Sequence, residues 1–127
     1  MRPILFLLFL FLGTRAFAVD GQALRLWCTA DDKGNRVGFD NMDTPSGIQE
    51  YAKAHLCQGY IAGVWDTEVV SANMHHEKMK ICLPDSKSII QQETAVVLKY
   101  LENHPEELHY PGTVLVHNAL IGAFHCG

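Results

Sequence analysis

Seven histidines, four cysteines and fourteen acidic side chains give this chain the raw material for metal binding, acid–base catalysis or thiol chemistry. Their spacing decides how much of that chemistry is usable. His104-Pro105-Glu106-Glu107-Leu108-His109 has the outline of a zinc-protease helix. Two histidine ligands must lie four apart to share a helical face. These are five apart, which turns the second about 140° away from the first, and Pro105 interrupts the helix. His75-His76-Glu77, not far from Cys82, offers adventitious metal ligands, but adjacent histidines also read as an exposed helix end. A cysteine–histidine nucleophile requires a free thiol, and an even number of cysteines argues against one. No serine stands in a Gly-x-Ser-x-Gly setting, and no glycine-rich phosphate loop occurs. Asp66 beside Trp65 reads as a helix-face charge, and Glu106 with Glu107 as acids at a helix start. The sequence therefore assigns no catalytic set, no metal site and no cofactor, and binding is the default.

The cysteines take their meaning from the first eighteen residues. Met1-Arg2-Pro3 is a short positive start, Ile4 to Leu12 is an unbroken apolar run, and Ala16-Phe17-Ala18 has the small-x-small form of a cleavage site. This reads as a secretory signal peptide over residues 1–18. The run is shorter than the roughly 20 residues that span a bilayer. Cleavage after Ala18 takes 18 residues from 127 and leaves a soluble mature chain of 109, Val19 to Gly127, expected to be a single domain. Cys28, Cys57, Cys82 and Cys126 all remain in it, and in an oxidising compartment they read first as disulfides. Loss of Arg2 and Arg15 moves the net charge from −4 to −6. That disfavours nucleic acid and anionic membrane surfaces as partners. It suits a basic protein partner, or simply a solvated acidic surface.

These residues must be positioned by helices, because no convincing alternating strand appears. Val19 to Ala30 is a short helix with Leu24, Trp27 and Cys28 on one face. Asp31 to Asp43 reads as a polar loop, with Lys33-Gly34-Asn35 its clearest turn. Thr44 can cap the next helix and Pro45 fits its first position, with Ser46-x-x-Gln49 as an alternative capping box. That helix runs from about Gly47 to Met74. Gly59 and Gly63, with Ala52 and Ala62, form a low groove where another helix can approach closely; a kink or a break there is the alternative. Asp85 or Ser88 caps a third helix ending at Asn103, with Ile89, Ile90, Val96, Val97, Tyr100 and Leu101 as its apolar stripe. Pro105 stops it and Pro105-Glu106-Glu107 begins a new turn. The last helix spans Gly112 to Phe124 and buries Leu115, Val116, Ala119, Leu120 and Ala123. The fold class is all-α, a small bundle of four to five helices stapled by two disulfides.

Four cysteines allow three pairings. A short link makes the third and fourth helices antiparallel neighbours. Cys82 lies just before the third and Cys126 just after the fourth, so both fall at one end of the bundle. Cys82–Cys126 is the favoured pair, and Cys28–Cys57 follows by elimination.

An ordered set of short motifs then carries a resemblance. It begins with Cys57-Gln58-Gly59-Tyr60-Ile61-Ala62-Gly63-Val64-x-Asp66 and Cys82-Leu83-Pro84, followed by Gln91 or Gln92. It continues with Val96-Val97-x-x-Tyr100-Leu101 and His104-Pro105-Glu106-x-Leu108-His109. It closes with Leu115-Val116-x-x-Ala119-Leu120-x-x-Ala123-Phe124-x-Cys126. Over about Ser46 to Cys126 the chain resembles the Rap/Tai family of immunity proteins from bacterial type VI secretion systems. The resemblance implies a small helical periplasmic protein, often a homodimer. It implies a secreted peptidoglycan amidase of papain-like, cysteine–histidine type as partner, bound in stoichiometric, non-catalytic fashion. His75-His76, Met74 with Met79, and the Lys33 to Gly38 segment match nothing in that pattern.

Loops on a rigid scaffold carry binding. Ser71 to Ser88 is the first candidate, with His75, His76, Glu77 and Asp85 on it and Cys82 as its anchor. The turn from His104 to Tyr110, with His104 and Glu107, is the second. Two other functions compete: a periplasmic acid-stress chaperone using titrating histidines, and an inhibitor of another wall hydrolase such as lysozyme.

Overall fold

The computed structural model describes residues 18–85 and 89–127. The expected leader, but for Ala18, and the expected cap Ser88 lie outside the described residues.

Helix α1 spans Gly21–Val37. The Asp20 carboxylate accepts from the Ala23 amide at 2.9 Å, satisfying a first-turn donor that has no partner inside the helix. Leu24 and Cys28 are buried and Trp27 half-buried, as the helical period requires. The helix does not end at Ala30. It runs through Lys33-Gly34-Asn35 and stops at Gly38, whose φ of 79° suits glycine. Two tertiary interactions override the turn propensity. Asp31 continues the Leu24–Cys28 stripe into the core, where it is only 2 % exposed. It accepts from Gln58 Nε2 at 2.6 Å and from Asn35 Nδ2 at 3.0 Å. Gly34 leaves the space that the Phe39 ring fills.

Helix α2 spans Pro45–His75, 31 residues, with Pro45 in its first turn. Thr44 Oγ1 accepts from the Gly47 amide at 3.2 Å, so Thr44 is the cap. Gly47 is required by the tight turn before the helix. A Cβ there would stand 2.6 Å from the Asp40 carbonyl oxygen and closer still to that of Asn41. The helix passes unbroken through Gly59 and Gly63, which overturns a break there. Its buried residues are Gly47, Ala54, Cys57 and Ile61. From Ala62 to His75 no residue is buried.

Helix α3 spans Ile89–Asn103. Val97 and Leu101 are buried as expected, but Ile89, Ile90, Val96 and Tyr100 are only half-buried, while Glu93, Thr94 and Leu98 go inside. The face is thus rotated toward Glu93–Thr94 relative to the apolar stripe. A single 3-10 turn, Pro105–Glu107, leads to Helix α4, Gly112–Ala123. Leu115, Val116, Ala119 and Leu120 of α4 are buried; Ala123 is exposed.

The four helices enclose one apolar core, centred on residues such as Leu24, Ile61, Leu101, Leu115 and Leu120, all 1 % exposed or less. Helix α1 lies chiefly against α2 and also reaches α3, and α3 packs on α4. Disulfides join Cys28 to Cys57 and Cys82 to Cys126, each with a Cα separation of 5.0 Å. The first bridges α1 and α2 inside the core. The second closes an end where the chain also pairs with itself. The Cys82 amide donates to the Phe124 carbonyl at 2.7 Å, and the Cys126 amide to that of Lys80 at 3.1 Å. At the opposite end the Gly112 amide donates to the Val19 carbonyl at 2.7 Å and the Gly21 amide to that of Tyr110 at 3.2 Å. These isolated bridges are the extended pairing found among the described residues. No described helix is long and apolar enough to cross a membrane.

Candidate partner-binding surfaces

Beyond Ile61, α2 is at most half-buried, with Val64 and Trp65 resting on the edge of the core, and it ends in a compact tip. His75 is its last residue. His76 closes it in the left-handed conformation, φ 54° and ψ 33°, and its amide turns back toward the Ala72 and Asn73 carbonyls. The Glu77 amide donates to the Ala72 carbonyl at 3.0 Å. This is a helix-terminating turn that satisfies the Ala72 and Asn73 carbonyls and fixes the backbone under the tip. His75, His76 and Glu77 are all exposed. The chain then returns through exposed Lys78 and Lys80 to buried Ile81, the Cys82–Cys126 bridge and exposed Asp85. The segment therefore mixes both signs of charge rather than forming an acidic patch.

His104 and Glu107 occupy a different place. The Tyr100 hydroxyl donates to Glu107 Oε2 at 2.7 Å. The His104 ring stacks on Tyr100 with centroids 4.1 Å apart, and its Nδ1 lies 2.8 Å from the Tyr100 carbonyl oxygen. Burial first, and then the Glu107 carboxylate, push the Tyr100 hydroxyl above the usual tyrosine range. Both residues are half-buried members of the α3–α4 corner. This corner and Asp85 lie at opposite ends of α3, a 15-residue helix about 22 Å long. The two predicted loops are thus not one patch.

A third surface takes its residues from the glycines of α2. Gly59 and Gly63 are exposed, and a Cβ on either would meet nothing within 4 Å. Among the described residues no helix approaches them closely, so the expected low groove is present without an occupant there. They floor an open groove of about 560 Å³ between α2 and α4, with Tyr60, Val64, Val114 and His117 among its walls. Tyr60 meets Trp27 edge-on at 6.2 Å; burial raises its hydroxyl above the ordinary range, with hydrogen bonding to Thr113 opposing. One end of the groove is polar, where His117 Nδ1 comes within 2.5 Å of Glu68 Oε1. That contact is not aligned as a hydrogen bond, and with both groups near one-third exposed it contributes little.

Asp31, expected in a loop, is an acid that the fold buries, since its spacing from Leu24 and Cys28 continues the buried face; Glu93 is a second buried acid, on which sequence reasoning is silent. Glu93 sits at 4 % exposure with Oε1 lacking a hydrogen-bond partner among the described residues. Burial pushes its carboxyl above the usual carboxylate range. No three His, Cys, Asp or Glu side chains converge as a metal-binding group among the described residues.

No curated protein and no solved structure matches the chain. The model of one family does: Rap1a immunity proteins, over residues 20–126. The match starts at the α1 cap, ends at the last disulfide cysteine and takes in every helix described above, so the chain belongs to the Rap1a immunity protein family.

Proposed function

We propose that this chain is a periplasmic immunity protein of a type VI secretion system. It binds a peptidoglycan amidase effector of cysteine–histidine type and occludes its cleft, performing no reaction itself. A homodimer belongs to the same reading, as does export through a signal peptide cleaved after Ala18. Family membership supports the immunity role. The observation that carries the inhibitory mode is the α2 tip. A helix whose last turn, Asn73 to His75, is wholly exposed, and whose end is fixed by the His76 turn, presents a firm tip to a partner. A projection suits a concave site, and exposed His75, His76 and Glu77 supply polar groups to meet its lining. Asp85 flanks the tip beyond Cys82, and the His104–Glu107 corner is a second face for a partner. A basic effector would be steered toward the acidic chain.

The test pairs this protein with the secreted enzyme encoded beside it. Periplasmic delivery of that enzyme should lyse cells, and co-expression of this chain should prevent lysis. Double substitution His75→Ala with Glu77→Lys should weaken binding at least tenfold in calorimetry, about 1.4 kcal/mol, with the helical circular dichroism unchanged. Undiminished affinity would remove the tip as the inhibitory element.

A further inference from the structure

We propose that His117 is a proton-dependent clamp on the outer half of α2. Protonated, it holds Glu68, and with it the stretch of helix that leads to the tip, against α4; deprotonated, it releases that stretch. The functional meaning rests on the tip reading above, while the contact itself needs no effector.

Apolar packing stops short of the tip. Among the described residues, Val64 and Trp65 are the last of α2 that rest against the core. Farther out, polar contacts with α4 take over, at either side of the groove between the two helices. Thr113 hydrogen-bonds to the Tyr60 hydroxyl. One turn later on the same face of α4, His117 Nδ1 lies 2.5 Å from Glu68 Oε1.

The two contacts respond differently to pH. Burial raises the Tyr60 hydroxyl above its ordinary range, so that contact is unchanged across neutral pH. The His117 contact depends on charge. Its Nδ1 is shielded from solvent and not aligned as a hydrogen bond with any described group, so a neutral ring gains little from the carboxylate. A charged ring gains a Coulombic attraction, which needs proximity rather than alignment. Imidazole takes up its proton near pH 6.5, where carboxylates are already ionised. The attraction is therefore complete in mild acid and is lost as pH rises through the histidine range.

The surroundings connect the clamp to the tip. Glu68 and His117 also line a polar cavity of about 220 Å³ together with Glu77, Lys78 and Lys80 of the segment returning from the tip. Those three are the charged groups facing the pair from that segment, and Tyr60 is the titratable group sharing its groove side. When His117 loses its proton, Lys78 and Lys80 remain as the cations lining the cavity with Glu68. Both belong to the return segment, so charge no longer draws α2 toward α4.

The experiment is amide hydrogen exchange at about pH 5.5 and pH 8, on protein expressed from the full sequence and purified from the periplasm. Protection of residues 69–75 is read relative to α1, and wild type is compared with His117→Gln at each pH. That comparison cancels the intrinsic exchange rate and the contribution of His75 and His76. At pH 5.5 the wild type should be protected about two- to fivefold more than the variant, the range of a partly exposed ion pair; at pH 8 the two should agree. Glu68→Gln should behave as His117→Gln, and the double variant should lose no more than either single, because all three remove one contact. Equal protection in wild type and variant at both pH values, or a deficit of the same size at both, would overturn the clamp. Calorimetry with the effector separates the two readings. Binding tighter at pH 5.5 than at pH 8 by a margin that His117→Gln reduces would support the clamp, whereas no binding at either pH would overturn the immunity reading and leave the exchange result standing.

Discussion

Asp31 and Glu93 are acids that the fold takes inside, on opposite terms. Asp31 is satisfied by two donors, one on its own helix and Gln58 on α2, and so ties α1 to α2 beside the Cys28–Cys57 bridge. Replacing it with alanine strands the Gln58 amide. Asp31→Ala should cost about 2–3 kcal/mol in urea unfolding, the range for bonds to a charged group. Glu93 Oε1 has no hydrogen-bond partner among the described residues, and burial favours the protonated form. A carboxyl raised in the folded state contributes stability that is complete below its unfolded value, near 4.3, and is lost as pH rises through the folded value. Glu93→Gln should therefore be more stable than the wild type at pH 7.5, by a margin that shrinks on acidification to pH 4. A margin constant with pH in denaturation at both values would show that the Glu93 carboxyl titrates alike in the folded and unfolded chain.

At the scale of elements, glycines divide by what surrounds them. Gly47 is enclosed by carbonyl oxygens of residues 40 and 41. Gly47→Ala should destabilise the chain by at least about 1 kcal/mol, because backbone must move to admit the methyl group, and a lowered melting temperature checks it. The cap at Thr44 and the stops at Asn103 and Pro111 were legible because capping and proline chemistry act locally. The end of α1 was not. Lys33-Gly34-Asn35 has turn composition, but Gly34 serves the nearby Phe39 ring, and Asp31 serves Gln58, a tertiary cause that no local window contains. The α3 face was misjudged for the same reason: an apolar pattern does not announce a glutamate placed in the core. Gly59 and Gly63 were recognised as a close-approach surface, but the sequence does not say whether the approaching helix is internal. Of the candidate contact residues, His75, His76, Glu77 and Asp85 proved exposed, whereas the Tyr100 bonds that occupy Glu107 and His104 required coordinates to see.

At the scale of the molecule, two disulfides and two hydrogen-bonded ends hold a small core together. The favoured cysteine pairing came from topology alone, since an antiparallel pair of helices returns the chain to its starting end. The bridged cysteines are 29 and 44 residues apart. On the chain-entropy model each bridge contributes about 4 kcal/mol, a large share of the 5–15 kcal/mol typical of a whole domain. Replacing Cys28 and Cys57 together by alanine should lower the unfolding free energy by about that amount. A loss under about 1 kcal/mol in guanidinium titration would mean that the reduced chain retains the same restraint by other means.

Of the fourteen residues of α2 that follow Ile61, Val64 and Trp65 rest against the core, and folding places few demands on the exposed ones such as Asn73, Met74 and His75. Substitution there can retune recognition while the cross-linked remainder keeps its shape. A lineage facing a changed toxin could rewrite its antidote in that stretch, one residue at a time, without ever passing through an unfolded intermediate.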